Sequence, residues 1–209
     1  TIAYLTPDDM ASILLQPDTE TKYGRRDMIL LSLMYDSGAR VQELCDLQVR
    51  DIRLRKPPTV TLTGKGNKTR HVPLMSSTAA VLADYFRENK LSLNEKLDWP
   101  LFTNHQGKKL TRAGVTYILQ KYVTAAKEIN PNLPSKISPH VLRHSKAMHM
   151  LQAGTNLIYI RDFLGHTHVD TTEIYARTDT DMKRRAIESV QIKIEPDLPQ
   201  WTEDKSLMS

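Results

Sequence analysis

One cysteine in 209 residues cannot close a disulfide within its own chain, which excludes a disulfide-stapled scaffold. Apolar runs are short: none approaches the ~18 consecutive residues that a membrane-spanning helix needs. The opening stretch, Thr1 to Leu5, also lacks the basic, apolar and small-residue zones of a secretory signal. Internal repeats, low-complexity tracts and a clear internal boundary are missing as well. These absences predict a soluble, cytoplasmic protein of a reducing compartment, folded as one domain large enough to bury a core without staples.

Charge is present but unevenly spread. Lys and Arg number 29 against 24 Asp and Glu, a net +5. Residues 195 to 209 carry four carboxylates against Lys205, a local −3, so residues 1 to 194 carry +8. A basic body of this kind suits a polyanion, gripped mostly through its phosphates. The plainer reading, an enzyme with solvated lysines, fits the charge equally well.

The hydrophobic period changes along the chain. Thr6-Pro7-Asp8-Asp9 has a capping hydroxyl, a first-turn proline and two carboxylates at the positive end of a helix dipole, so a helix opens there. Ile29, Leu30, Leu33 and Met34 predict a second helix from about Arg25 to Ser37, ended by Gly38, and a short apolar face restarts at Val41. Val60 and Leu62 then alternate with threonines, and Gly64-Lys65-Gly66-Asn67-Lys68 separates them from Arg70-His71-Val72-Pro73-Leu74, a hairpin pattern. Asp51 to Leu54 is a candidate third strand. Helical spacing resumes over 76 to 89 and 111 to 129. Ser138-Pro139 launches another helix, which Gly154 ends, and Asn156 to Leu164 forms a short one stopped by Gly165. Val169 to Tyr175 and Asp181 to Ser189 complete the helical pieces, and Val190, Ile192 and Ile194 read as a strand before the acidic tail. The expected class is α+β, mostly α, with a small antiparallel sheet.

Several cations stand where chemistry could use them. His140 and Arg143, three apart near a helix start, emerge on one face, where donors, charge and dipole all suit a phosphate; by themselves, such residues near a helix end are more often just solvated surface. Arg40 follows the Gly38-Ala39 break and by itself would pair with Glu43 or another carboxylate. Lys65 projects from a glycine-flanked turn, and His166 follows Leu164-Gly165 at a helix end. Tyr175, nine residues on, reads by itself as a core aromatic.

Taken in order, these boxes resemble the catalytic domain of the tyrosine recombinase (phage-type integrase) family. Ser37-Gly38-Ala39-Arg40-Val41-Gln42-Glu43-Leu44 is similar to its first-arginine box, and Gly64-Lys65-Gly66-Asn67-Lys68 to its lysine hairpin. His140-Val141-Leu142-Arg143-His144-Ser145 resembles the His-x-x-Arg box. Leu164-Gly165-His166 resembles the glycine-histidine turn, with Tyr175 at the nucleophile's place. The resemblance spans roughly residues 1 to 190. It implies a catalytic domain over 1–189 and a strand and acidic tail over 190–209, exchanged between protomers or folded back. Members usually carry a DNA-gripping helical domain ahead of the catalytic one, so a sequence opening at Thr1 reads as an excised fragment or a short form.

The reaction implied is cleavage and rejoining of duplex DNA through a 3′-phosphotyrosyl link. The Tyr175 phenol, with an ordinary pKa near 10, must lose its proton, and His140 is the candidate acid/base. Arg40 and Arg143 can brace the charge gathering on the non-bridging oxygens, with His166 as a further donor, so no metal or cofactor is required. Lys65 would protonate the leaving 5′-oxygen; Lys68 is its rival. Lys68, Arg70, Asn67 and Lys146 are the expected DNA contacts, and Tyr159 and Tyr122 are the next nucleophiles to weigh. The implied partners are a double-stranded target site, further copies in a dimer or tetramer, and DNA-bending or directionality factors, with the protein at the bacterial nucleoid and at no membrane. A type IB topoisomerase and a non-catalytic DNA-binding accessory protein are the alternatives. Among the other histidines, His144 is expected to steady the box helix, and a zinc site is not expected, since His144 and His149 are five apart. Cys45 reads as a small core hydrophobe.

Overall fold

Thr6 starts the first helix by reciprocal capping: its hydroxyl accepts the Asp9 N–H, and the Asp9 carboxylate accepts the Thr6 N–H, both at 3.1 Å. In the computed structural model, which describes residues 4–92, 94–165 and 172 apart from the side chains of Lys65 and Asn94, this helix is α1, Pro7–Leu14. The second, α2, Lys22–Ser37, begins three residues before the expected start at Arg25. The reason is its cap, because the Thr21 hydroxyl accepts the Gly24 N–H at 3.0 Å. Position 24 admits no side chain, since a Cβ there would lie 1.8 Å from the Asp18 carbonyl oxygen.

Four of the next elements build the wall of the site. Helix α3, Val41–Asp46, follows at once. Strands β1, Ile52–Arg53, β2, Thr59–Thr63, and β3, Thr69–Pro73, form an antiparallel sheet in that order. The register pairs Val60 with Val72 and Leu62 with Arg70, so these four residues share the inward face. Three of them are core residues, and the fourth is an arginine.

The remaining helices are α4, Ser76–Glu88, α5, Arg112–Ile129, α6, Pro139–Gln152, and α7, Leu157–Leu164. Helix α2 is the centre: it packs on α1, α3, α4 and α6. Ile29, Leu30, Leu31, Leu33 and Met34 are consequently buried on nearly every side of it. Helix α5 supports α1 and α3, and α7 lies on α6. The mostly helical α+β architecture with one small antiparallel sheet is thus the observed fold. The expected helices Val169 to Tyr175 and Asp181 to Ser189 and the strand from Val190 lie outside the described residues, Thr172 excepted, which is buried. No helix among the described residues is long and apolar enough to cross a membrane.

Candidate active site

Gly38 ends α2 in the left-handed conformation, φ 56°, and turns the chain so that Arg40 becomes the residue before α3. A Cβ on Gly38 would approach Leu164 and Phe163 to 3.0 Å, so the turn also lets α7 come close. Glu43, one turn into α3, reaches back: its Oε2 accepts the Arg40 backbone N–H at 2.8 Å and its Oε1 accepts Arg40 Nη1 at 3.1 Å. Arg40 Nη2 donates to the Gly165 carbonyl at 3.3 Å, while 40% of its side chain stays accessible. The Arg40–Glu43 pairing that Arg40 invites by itself is therefore real, and it leaves the guanidinium partly open to a ligand.

Arg143 approaches the same turn from α6. It is buried, 4% exposed, and donates from Nη1 to the Gly38 carbonyl and from Nη2 to the Leu164 carbonyl at 2.6 Å. Two guanidiniums from distant helices therefore meet successive carbonyls, Leu164 and Gly165, at the negative end of α7, where a helix dipole favours cations. Gly165 closes that helix at φ 64°. The turn is held immediately before position 166.

The lysine hairpin leans on this cluster. The Gly64 N–H donates to the Lys68 carbonyl at 2.8 Å, and a Cβ on Gly64 would lie 3.0 Å from Glu43 Oε1 and 3.7 Å from Arg40 Nη1. Lys65 opens the short 3-10 turn Lys65–Asn67, one residue beyond that contact. Its backbone thus sits beside the arginine cluster. Asn67, at φ 56°, and Lys68 are exposed at the tip.

Two of the residues expected at the DNA have partners within the protein. Arg70 points inward, 12% exposed in its side chain, with Nη1 and Nη2 on the two Glu43 oxygens at 2.8 and 2.7 Å and Nε on the Phe163 carbonyl at 2.9 Å. Its donors are engaged inside the protein. The ammonium of Lys146 lies 4.9 Å from the Tyr35 ring centre, half-buried, and burial pulls its pKa down against the raising effect of Asp36. Its charge lies over an aromatic face. An inward arginine was legible in the alternation Arg70, Val72, Leu74, which puts Arg70 on the apolar face of its strand.

His140 is exposed on the first turn of α6, and His144 is half-buried, its pKa lowered by burial and then by the charges of His140 and Arg143. His149 is held between the Tyr35 hydroxyl at 2.6 Å and the Leu5 carbonyl at 2.8 Å. The second bond requires a proton on Nε2, so Nδ1 accepts from the tyrosine. Burial pushes Glu43 up, but the hydrogen bonds and charges of Arg70 and Arg40 bring its carboxyl below the ordinary value. Tyr122 is ruled out as a nucleophile: it is buried, donates to Asp27 at 2.9 Å, and burial with that carboxylate drives its pKa far up. Cys45 is a buried thiol, 4% exposed, among apolar neighbours. Among the described residues no group of His, Cys, Asp and Glu is arranged to hold a metal ion. His166 and Tyr175 lie outside the described residues.

A mostly helical domain whose arginines from two separate boxes converge beside a glycine-rich hairpin matches a known class, and the chain belongs to the phage integrase family over residues 3–182. The tyrosine recombinase XerC of Anoxybacillus flavithermus is 33% identical over 184 residues, 87% of this chain and 59% of the relative. The XerC of Roseiflexus sp. strain RS-1 is 40% identical over 175 residues, covering 82% and 54%. In structure, XerH site-specific recombinase bound to palindromic difH substrate, a post-cleavage complex, superposes with a TM-score of 0.73 at 25% identity, covering 90% of this chain and 53% of that one. The chain spans little more than half the length of the curated relatives it matches.

Proposed function

We propose that this chain is the catalytic part of a site-specific DNA recombinase that cleaves and rejoins duplex DNA through a phosphotyrosine. The observation that carries the reading is the meeting of Arg40 and Arg143 on the Leu164–Gly165 turn, with the hairpin base packed against Glu43. A phosphodiester under attack gathers charge on its non-bridging oxygens, and guanidiniums held before the reaction begins stabilise that charge without reorganising. Arg40 keeps accessible surface for this, and Arg143 is fixed by the interior.

In this reading Tyr175 attacks the phosphorus, His140 takes the phenolic proton, and Lys65 gives one to the departing 5′-oxygen. His166, one residue beyond the braced turn, adds a donor to the phosphate. The bond energy stays in the phosphotyrosyl link, so a new 5′-hydroxyl can displace the tyrosine and rejoin the strand. Exchanging four strands takes four tyrosines, so the working form is a tetramer on DNA, at the nucleoid, with accessory factors setting direction. The relatives' names and the XerH complex with its DNA substrate support this assignment.

The test is a pool of nicked duplexes with a randomised core, incubated with the protein in EDTA and resolved on a denaturing gel. A DNA-linked protein band is expected from the wild type and absent from Tyr175→Phe, which keeps its fold and DNA affinity. An adduct that survives Tyr175→Phe moves the nucleophile, with exposed Tyr159 next. No adduct from the wild type overturns the enzyme reading.

A further inference from the structure

Arg70 sits on the inward face of β3, opposite Leu62 and two residues from Val72. A charge in that position is costly unless it is paired and hydrogen-bonded. Here each of the three nitrogens makes a bond: the fork takes both oxygens of Glu43, which lies 27 residues away in sequence, and Nε takes the Phe163 carbonyl, 93 residues away. Paired parallel bonds of this kind fix orientation as well as distance.

The consequences run to both neighbours. Glu43 in turn orients Arg40, through its backbone N–H and its Nη1. The Phe163 carbonyl belongs to the last turn of α7, just before the carbonyls that receive Arg143 and Arg40. Gly165 passes directly over the guanidinium, since a Cβ there would lie 3.0 Å from Arg70 Nη1 and 3.2 Å from its Cδ. One side chain therefore ties together the hairpin's return strand, the Arg40 box and the turn that leads to position 166. Each of these bonds ends on a group of the protein itself.

We infer that Arg70 is a positioning residue for strand cleavage: by clamping Glu43 to the end of α7 it sets where Arg40 and the Leu164–Gly165 turn stand, without itself touching DNA. The inference rests on the recombinase reading. Lysine cannot replace it, because a single ammonium offers no planar fork to two oxygens and a carbonyl together. Misplacing a phosphate-bracing group by about 1 Å costs on the order of 10²-fold in rate.

The experiment uses a nicked duplex captured by the wild type from the randomised pool. Arg70→Lys is measured beside Arg70→Ala for the rate of adduct formation at saturating DNA, the Kd for the same duplex, and amide hydrogen exchange. The expected result for Arg70→Lys is a rate about 10²-fold lower at unchanged Kd, with faster exchange confined to residues 40–43 and 163–165 while α5 keeps its protection. Combining it with Glu43→Gln should give little further loss, because both changes break the same clamp. A weaker Kd at an unchanged rate would return Arg70 to the role of a DNA contact and overturn the inference. So would an unchanged rate, or exchange raised throughout the fold with melting lowered in proportion, the mark of a merely structural residue. A wild type that yields no adduct is a different failure: it removes the recombinase reading, and the positioning role with it.

Discussion

Glu43 is the residue on which the site's order depends. Its side chain is 3% exposed, and it accepts from two arginines and one backbone N–H. Its carboxyl is held below its ordinary value of 4.5, so the folded state binds its proton less readily than the unfolded chain does. The contribution is therefore fully present above the unfolded value and is lost as the pH falls through the lower, folded one. The wild type is expected to lose stability in acid below about pH 4.5, and Glu43→Gln to lack that part of the titration. At neutral pH the glutamine variant should be less stable by about 3 kcal/mol or more, because the buried arginine keeps its charge and loses its counterion. Denaturant melts across the pH range check both statements; parallel curves would remove Glu43 from the linkage.

At the scale of elements, the site is a junction of ends: the start of α3, the first turns of α6, the close of α7 and the base of the β2–β3 hairpin. In the proposed reaction Arg40 and Arg143 supply charge and Lys65 supplies a proton, so the two kinds of element should fail differently. A substrate with sulfur in place of the bridging 5′-oxygen needs no proton on leaving. Lys65→Ala should regain most of its lost cleavage on that substrate, whereas Arg40→Ala should not, because it lacks charge stabilisation, a loss of about 10²-fold or more that sulfur does not repair. Adduct rates on the paired substrates decide this. Equal rescue of both variants would move the acid to another residue, with Lys68 first.

For the whole molecule, the basic 1–194 body and the acidic tail suggest a division of labour. On the expectation that Val190, Ile192 and Ile194 form a strand, three such residues are too few to hold it alone, and it would need a sheet edge to pair with. Sheet edges are available at β1 and β3. If a neighbouring protomer supplies the edge, deleting residues 190–209 leaves monomer binding to DNA intact and abolishes larger complexes, with cleavage altered. Native gels and light scattering on DNA report this. Unchanged assembly with a lower Tm would place the strand within its own subunit.

Much of the architecture was legible in the chain because its signals are local. Caps such as Thr6, stops such as Gly38 and Gly165, and the alternation at Val60 and Leu62 act within a few residues, and among the described residues the helices and hairpin appear close to where those signals put them. Even the early start of α2 follows from a local bond, that between Thr21 and Gly24. The boxes that mark the family are local as well. What only the tertiary structure decided is which cation faces which partner. Arg70 and Lys68 share one hairpin and one charge, yet strand register turns Arg70 onto Glu43 and Phe163 and leaves Lys68 exposed at the tip. Likewise Arg143 and His140, three apart on α6, are given to the interior and to solvent by the approach of α2 and α7. Residue type and spacing specify an element and its faces, but the partner of a long charged side chain depends on contacts up to 125 residues away, which exist only once the chain has packed.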